Sequence, residues 1–302
     1  MTRLKAPQAA AAVDSKAMAR VHRAALLAVP ALAILFLFQL WPLLSVVRYA
    51  TWEWSGLAEP VSVGTAQFAR LVGDVNLWRS LGVTGLFTAI TLPTFLLLSI
   101  VIAMGIEGLR HERLIKALLF LPGLITVGGS AIAWYLLYNP DYGLVVELTG
   151  LSLPWSSEPW AALLYIVLFS LWQQTGFGVL VVSAALRGIP KELKEAAWLD
   201  GASESQVQRL VTLPLLKPTM LFLLVIGTVL AIQSYTAVFL LTRGGPFGAT
   251  RVLGYYLYET AFERFQLGYG AAITLFVMAL TLIVAIMQVR VFAARRPAQA
   301  GA

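Results

Sequence analysis

Six apolar blocks, each about as long as a bilayer crossing, alternate with short polar stretches: residues 24–47, 80–106, 117–138, 160–186, 219–242 and 267–288. A membrane-spanning helix needs about 20 predominantly apolar residues. Within hydrocarbon the backbone has no water to bond, so continuous blocks of this length predict helices. The expected fold is an all-α polytopic membrane protein with six transmembrane helices over residues 24–288. A basic tail (1–23) precedes it and a short tail (289–302) follows. The first tail contains APQAAAAV at residues 6–13, without apolar periodicity, and is expected to be disordered. The first block, behind that tail, is read as an uncleaved span and not as a signal peptide.

Composition agrees: 59% of residues are hydrophobic and 12% charged, about half the charge of an ordinary soluble domain. Charge placement predicts orientation. Sixteen of the 22 Lys and Arg fall in the two tails and in the loops after the second and fourth blocks. The positive-inside rule then puts both termini in the cytoplasm. Trp41, Trp52, Trp54, Trp78, Trp134, Trp155 and Trp160 all fall toward the other side, as an interfacial belt predicts. The net charge of +7 is thus assigned to orientation and to lipid headgroups, not to nucleic acid. His22 and His111 lie far apart at span ends and make no metal site. With no cysteine, thiolate metal sites and disulfides are excluded. No catalytic constellation is present, and no GxxxxGK[ST] phosphate cradle.

A charged polar island runs from 187 to 218, RGIPKELKEAAWLDGASESQVQRLVTLPLLKP. Pro190 suits the start of a helix, and KELKEAAWL uses strong helix formers. Asp200-Gly201 predicts a stop, and Ser203 with Gln206 predicts a capping box that opens a second helix. Pro214 and Pro218 break the return to the membrane. The expected shape is a helix–glycine–helix elbow. Such a segment is either a solvated loop or a docking element. Ala196 and Ala197 offer a small face for close approach, and Trp198 is the only tryptophan on the cytoplasmic side, which favours docking.

Two uncharged polar clusters interrupt the blocks that flank this elbow. Gln173 and Gln174 lie roughly 20 Å above Arg187, and Gln233, Ser234 and Tyr235 about 24 Å above Lys217, at 1.5 Å per residue. Amides, a hydroxyl and a phenol donate and accept hydrogen bonds, as a neutral sugar requires. Phe177, one turn from Gln173, could stack on a pyranose face. Two roles are open to these side chains: lining a cavity, or bonding helix to helix. Thr84, Thr88 and Thr91 form a stripe expected to pack. No span carries a charge, which speaks against proton or sodium coupling.

Glu195-Ala196-Ala197, Asp200-Gly201-Ala202 and Leu213-Pro214 resemble the EAA loop of permease subunits of binding-protein-dependent ABC importers. Residues 121–151, with Trp134, Pro140, Tyr142 and Gly143, are similar to the maltose-type branch. So are Leu241-Thr242-Arg243-Gly244-Gly245-Pro246, Ala249-Thr250, Tyr258, Ala261-Phe262 and Gly268–Ala272, which resemble the first of its two unlike permeases. Leu210 departs from that pattern, in which many members carry an aromatic. The resemblance implies a type I importer permease fold in the inner membrane of a prokaryote. It implies heterodimerisation with a second permease, two cytoplasmic ATPases carrying the ATP and Mg, and an extracytoplasmic substrate-binding protein. The cargo would be a sugar, a di- or oligosaccharide by preference. Glu195, Ala196, Ala197, Asp200, Gly201, Leu213 and Pro214 would engage the ATPase. A secondary carrier or channel is the alternative; it requires inverted repeats or intramembrane ionisable groups, neither of which is visible.

Overall fold

The structure, a computed structural model, describes residues 29–294; the tail 1–23 and the end of the C-terminal tail lie outside the described residues. In chain order the long helices are α1 (Val29–Tyr49), α3 (Val75–Ile106), α7 (Pro159–Arg187) and α13, which begins at Leu267 and ends at Ala294. Between α1 and α3 lie a two-stranded antiparallel hairpin, β1 (Trp52–Glu53) with β2 (Val61–Ser62), and α2 (Ala66–Gly73). Two further candidate spans are bent helix pairs. One joins α4 (Glu112–Leu124) to α5 (Val127–Leu137) at 96°, and the other joins α9 (Glu204–Leu215) to α10 (Lys217–Ile232) at 60°. Shorter helices are α6 (Leu144–Thr149), α8 (Lys191–Leu199), α11 (Thr236–Leu241) and α12 (Leu253–Tyr258).

Against the expected six spans, four helices among the described residues are long and apolar enough to cross a membrane, or six if each bent pair counts as one. The third block, expected unbroken over 117–138, turns at Ile125-Thr126. Pro122 and Gly123 weaken the last turn of α4, Ile125 is extended, and Thr126 caps α5 by accepting from the Gly129 amide (3.3 Å). The fifth block, 219–242, opens at Gln233–Tyr235 between α10 and α11. The fold is also not purely helical, since the hairpin is present. It rests on the start of α13, where a Cβ on Gly268 would stand 1.9 Å from the Trp52 carbonyl oxygen. Only glycine allows that contact. The tryptophan belt is corrected at two positions as well. Trp134 and Trp155 are 9% and 6% exposed and pack inside, Trp155 stacked on Tyr165 at 5.0 Å.

Helix α7 is the axis of the bundle, packed against α3 and α4. Without water to drive helices together in lipid, close packing and small residues must do so. A Cβ on Gly176 would lie 1.9 Å from the Leu119 carbonyl oxygen of α4, and one on Gly178 would lie 2.0 Å from Ser99 Oγ of α3. Phe87, Phe95, Phe169, Val179 and Leu223 fill the core around this axis.

The end of the bundle opposite the elbow is tied by one carboxylate. Asp74 caps α3, accepting from the Asn76 and Leu77 amides at 2.9 and 3.2 Å, and its other oxygen accepts from the Tyr256 and Tyr269 hydroxyls, both at 2.5 Å. Partial burial opposes the charge, but the two hydroxyls and two amides outweigh it and hold the carboxyl below its ordinary 3.8. Its stabilising contribution is thus complete above the ordinary value and fades as pH falls through the lower, folded one. Asp74→Ala loses about 1–2 kcal/mol through the cap alone. In thermal unfolding at neutral pH the variant should melt lower than the parent, and the gap should close on acidification. A gap that persists at acid pH would refute the ionised tie.

Candidate functional site: a cavity above an elbow

Around the elbow the local rules hold closely. Pro190 sits at the N-cap, one residue before α8, rather than within its first turn. At the far end the Ala202 amide donates to the Ala197 carbonyl and the Gly201 amide to the Trp198 carbonyl, each at 3.0 Å. These two bonds make a Schellman cap, and Gly201 has the positive φ (84°) it demands. Ser203 and Gln206 form the capping box, the Ser203 amide donating to Gln206 Oε1 at 2.7 Å. Past a π turn at Gln208–Thr212, α9 ends at Leu215 and the chain re-enters through Leu216 and Lys217.

The elbow presents an unpartnered surface. Glu195 and Ala196 are exposed, and Ala197, Leu213 and Pro214 are half-buried. Asp200 and Gly201 are exposed at the corner, beside Leu199 at 89% and Trp198 at 47% exposure. Leu210, the residue that departs from the resemblance, is 73% exposed. Glu195 has no ion pair among the described residues, whereas its neighbour Lys194 reaches Glu107 beyond α3 at 3.6 Å. Arg187, at the end of α7, pairs with Glu112 at 2.7 Å, and Glu112 also holds Lys116. These ties join the elbow to the ends of α3 and α4.

Above the elbow, the polar residues singled out from the sequence come together. Gln173, Gln174 and Phe177 of α7 and Gln233, Ser234 and Tyr235 between α10 and α11 line one cavity of about 610 Å³. None of the polar side chains among these six hydrogen-bonds to another described residue, so they do not act as bonds between helices within this chain. Tyr235 is fixed from behind by Tyr258, stacked at 5.5 Å and 19°. No charged residue lines the cavity.

The rest of the lining was not singled out from the sequence. Ile125 and Thr126, at the 96° bend, face the same space, with Ser170 and Thr236. Both helix breaks therefore open on one cavity. Non-helical backbone at membrane depth is tolerated only where protein buries it or where it lines a wet cavity. The signal was present as Pro122-Gly123 and Gly128-Gly129 inside an apolar block, but hydropathy averages over it. Thr84 does not face this cavity; its hydroxyl accepts from the Leu253 amide at 2.8 Å, the packing role expected of it.

Comparison with known proteins places this geometry. The family described as binding-protein-dependent transport system inner membrane component matches residues 68–296. The trehalose/maltose transport system permease protein of Thermococcus litoralis is 31% identical over 285 residues, 90% of this chain and 94% of the relative. The sn-glycerol-3-phosphate transport system permease protein of Yersinia pestis is 33% identical over 272 residues, 88% and 92% of the two chains. Among solved structures, a bacterial ABC transporter involved in the import of the acidic polysaccharide alginate superposes with a TM-score of 0.79. It shares 19% identity and covers 93% of this chain and 99% of its own, a likeness of fold. With the elbow, the bent crossings and this match over most of its length, the chain belongs to the family of inner-membrane components of binding-protein-dependent transport systems.

Proposed function

We propose that this chain is one permease half of an ATP-driven sugar importer, crossing the inner membrane six times with both termini inside. The observation that carries the proposal is the convergence on one uncharged cavity of two polar clusters, on the helices that flank the elbow, with two helix breaks, at Ile125-Thr126 and at Gln233–Tyr235. A neutral lining of amides, hydroxyls and aromatic rings suits a di- or oligosaccharide better than a phosphorylated or acidic cargo. Kinship with the trehalose/maltose permease supports the carbohydrate class. A second, unlike permease closes the open side, two cytoplasmic ATPases supply ATP hydrolysis with Mg, and an external binding protein delivers the sugar.

The elbow works as the joint. Glu195, Ala196, Ala197, Asp200 and Gly201 present the docking corner to an ATPase, with Leu213 and Pro214 behind it. Closure of the ATPases displaces α8. Lys194–Glu107 ties that helix to the end of α3, and Arg187–Glu112 ties the end of α7 to the start of α4. The chain runs from α8 back into α7 and on through α9 into α10, so movement at the corner reaches both flanking helices. The cavity then changes its side of access.

Gln173→Leu and Gln233→Leu test the cavity role. Each removes donors and acceptors worth about 1 kcal/mol net, hence about fivefold. In the reconstituted importer the double variant should transport at least tenfold more slowly while ATP hydrolysis stimulated by the loaded binding protein persists. Unchanged sugar flux would overturn the assignment. Co-purification with an ATPase and a second permease separates an importer from a stand-alone carrier or channel.

A further inference from the structure

A second pocket of about 500 Å³ lies at the elbow end of the bundle, lined by Leu109, Arg110, His111, Arg113 and Leu114 with Glu112 and Arg187. Three arginines, Arg110, Arg113 and Arg187, line it together with a single carboxylate. Glu112 already holds Lys116 and Arg187, and Arg110 and Arg113 have no acidic partner among the described residues. The pocket is thus left with an uncompensated positive charge close to the plane where α3 and α4 leave the membrane.

An apolar track begins at the same place. Leu114 lines the basic pocket and is 58% exposed; Leu118 and Leu121, at 60% and 53%, follow it along the same face of α4. Leu118 and Pro122 then form one wall of an open groove of about 760 Å³, completed by Leu98, Leu168, Leu171 and Trp172. Charge at one end and a continuous apolar track rising from it match an amphiphile with an anionic head, and not a soluble anion. We infer that this is a binding site for an anionic phospholipid. The phosphate sits between Arg110, Arg113 and Arg187, and an acyl chain lies along Leu114, Leu118 and Leu121 into the groove.

Arg187 links the site to the joint, because it ends α7 immediately before the elbow. A phosphate there shares Arg187 with Glu112 and fastens the end of α7 to the start of α4. The inference rests on the orientation proposed above only for which leaflet supplies the lipid.

Lipid retention tests it without any transport measurement, so its failure and that of the importer reading are separable. Full-length protein is purified in detergent with equal phosphatidylglycerol and phosphatidylcholine of the same acyl chains, and the retained lipid is quantified by mass spectrometry. Phosphatidylglycerol should be retained preferentially, and Arg110→Gln with Arg113→Gln should reduce that preference about tenfold or more, since each basic group at a membrane surface contributes severalfold. The double Lys variant should keep the preference, which guards against mere misfolding. Arg290→Gln, basic but outside the pocket, should leave it unchanged. Inorganic phosphate should not displace the lipid at matched concentration. Equal losses from Arg290→Gln, displacement by inorganic phosphate, or no initial preference would each overturn the site.

Discussion

Glu195→Lys is expected to abolish sugar transport and stimulated ATP hydrolysis together, with membrane insertion intact. Glu195 is exposed, has no ion pair among the described residues, and stands on the free face of α8. The resemblance to the EAA loop implies a basic group on the ATPase as the partner of Glu195, and reversing the sign of Glu195 sets like charges together. Such juxtaposition costs several kcal/mol, on the order of a hundredfold or more in productive docking. Gly201→Asp should act by a different route with the same result. A residue with a side chain at φ 84° is strained by about 1–2 kcal/mol, and the Schellman cap that sets the angle between α8 and α9 is weakened. Open space surrounds Gly201, so sterics are not the cause. Both variants differ from the cavity variants, which keep stimulated hydrolysis. Flux near the parent level in either elbow variant would sink the joint.

The second large effect is on folding. A Cβ at position 176 would meet main-chain atoms of α4: the Leu119 oxygen at 1.9 Å, its carbon at 2.5 Å and Phe120 Cα at 2.7 Å. No rotamer change relieves a clash with backbone, so α4 must move away from α7. Overpacking of this kind costs roughly 1–3 kcal/mol and at times more. Gly178 gives the internal comparison. Its nearest neighbour is the Ser99 hydroxyl at 2.0 Å, a side-chain atom that can turn aside, although Phe95 at 2.9 Å limits the relief. Gly176→Ala should therefore lower the melting temperature and the yield of folded protein more than Gly178→Ala. Equal melting curves would show that the α4–α7 contact is looser than described.

The elbow was legible because every signal in it is local. Glycine at the cap, serine with glutamine three residues on, and the two prolines act within a turn or two of where they stand. The polar clusters were legible as groups that an apolar block has little reason to carry. The helix breaks were not, because hydropathy reads composition over a window and cannot see a dihedral change at Ile125. Trp134 shows a related failure: its place near a span end was readable, but not which side of the helix it faces, and it turned inward. The Asp74 tie was out of reach altogether, since its partners Tyr256 and Tyr269 lie 182 and 195 positions away. The family resemblance bridged some of this distance by carrying the fold, and the structure then supplied the bends on which the cavity depends.

The two broken crossings have one more consequence. They leave an open notch with polar groups in its lining, with Phe177, Gln233 and Tyr235 exposed at its rim, on a chain otherwise suited to lipid. Alone, such a chain has no means of keeping water and ions from following the notch across the membrane. On the proposed reading the barrier against leakage therefore belongs to the pair of permeases and not to either subunit. A chain made without its companion should be a poor seal and an early target of membrane quality control.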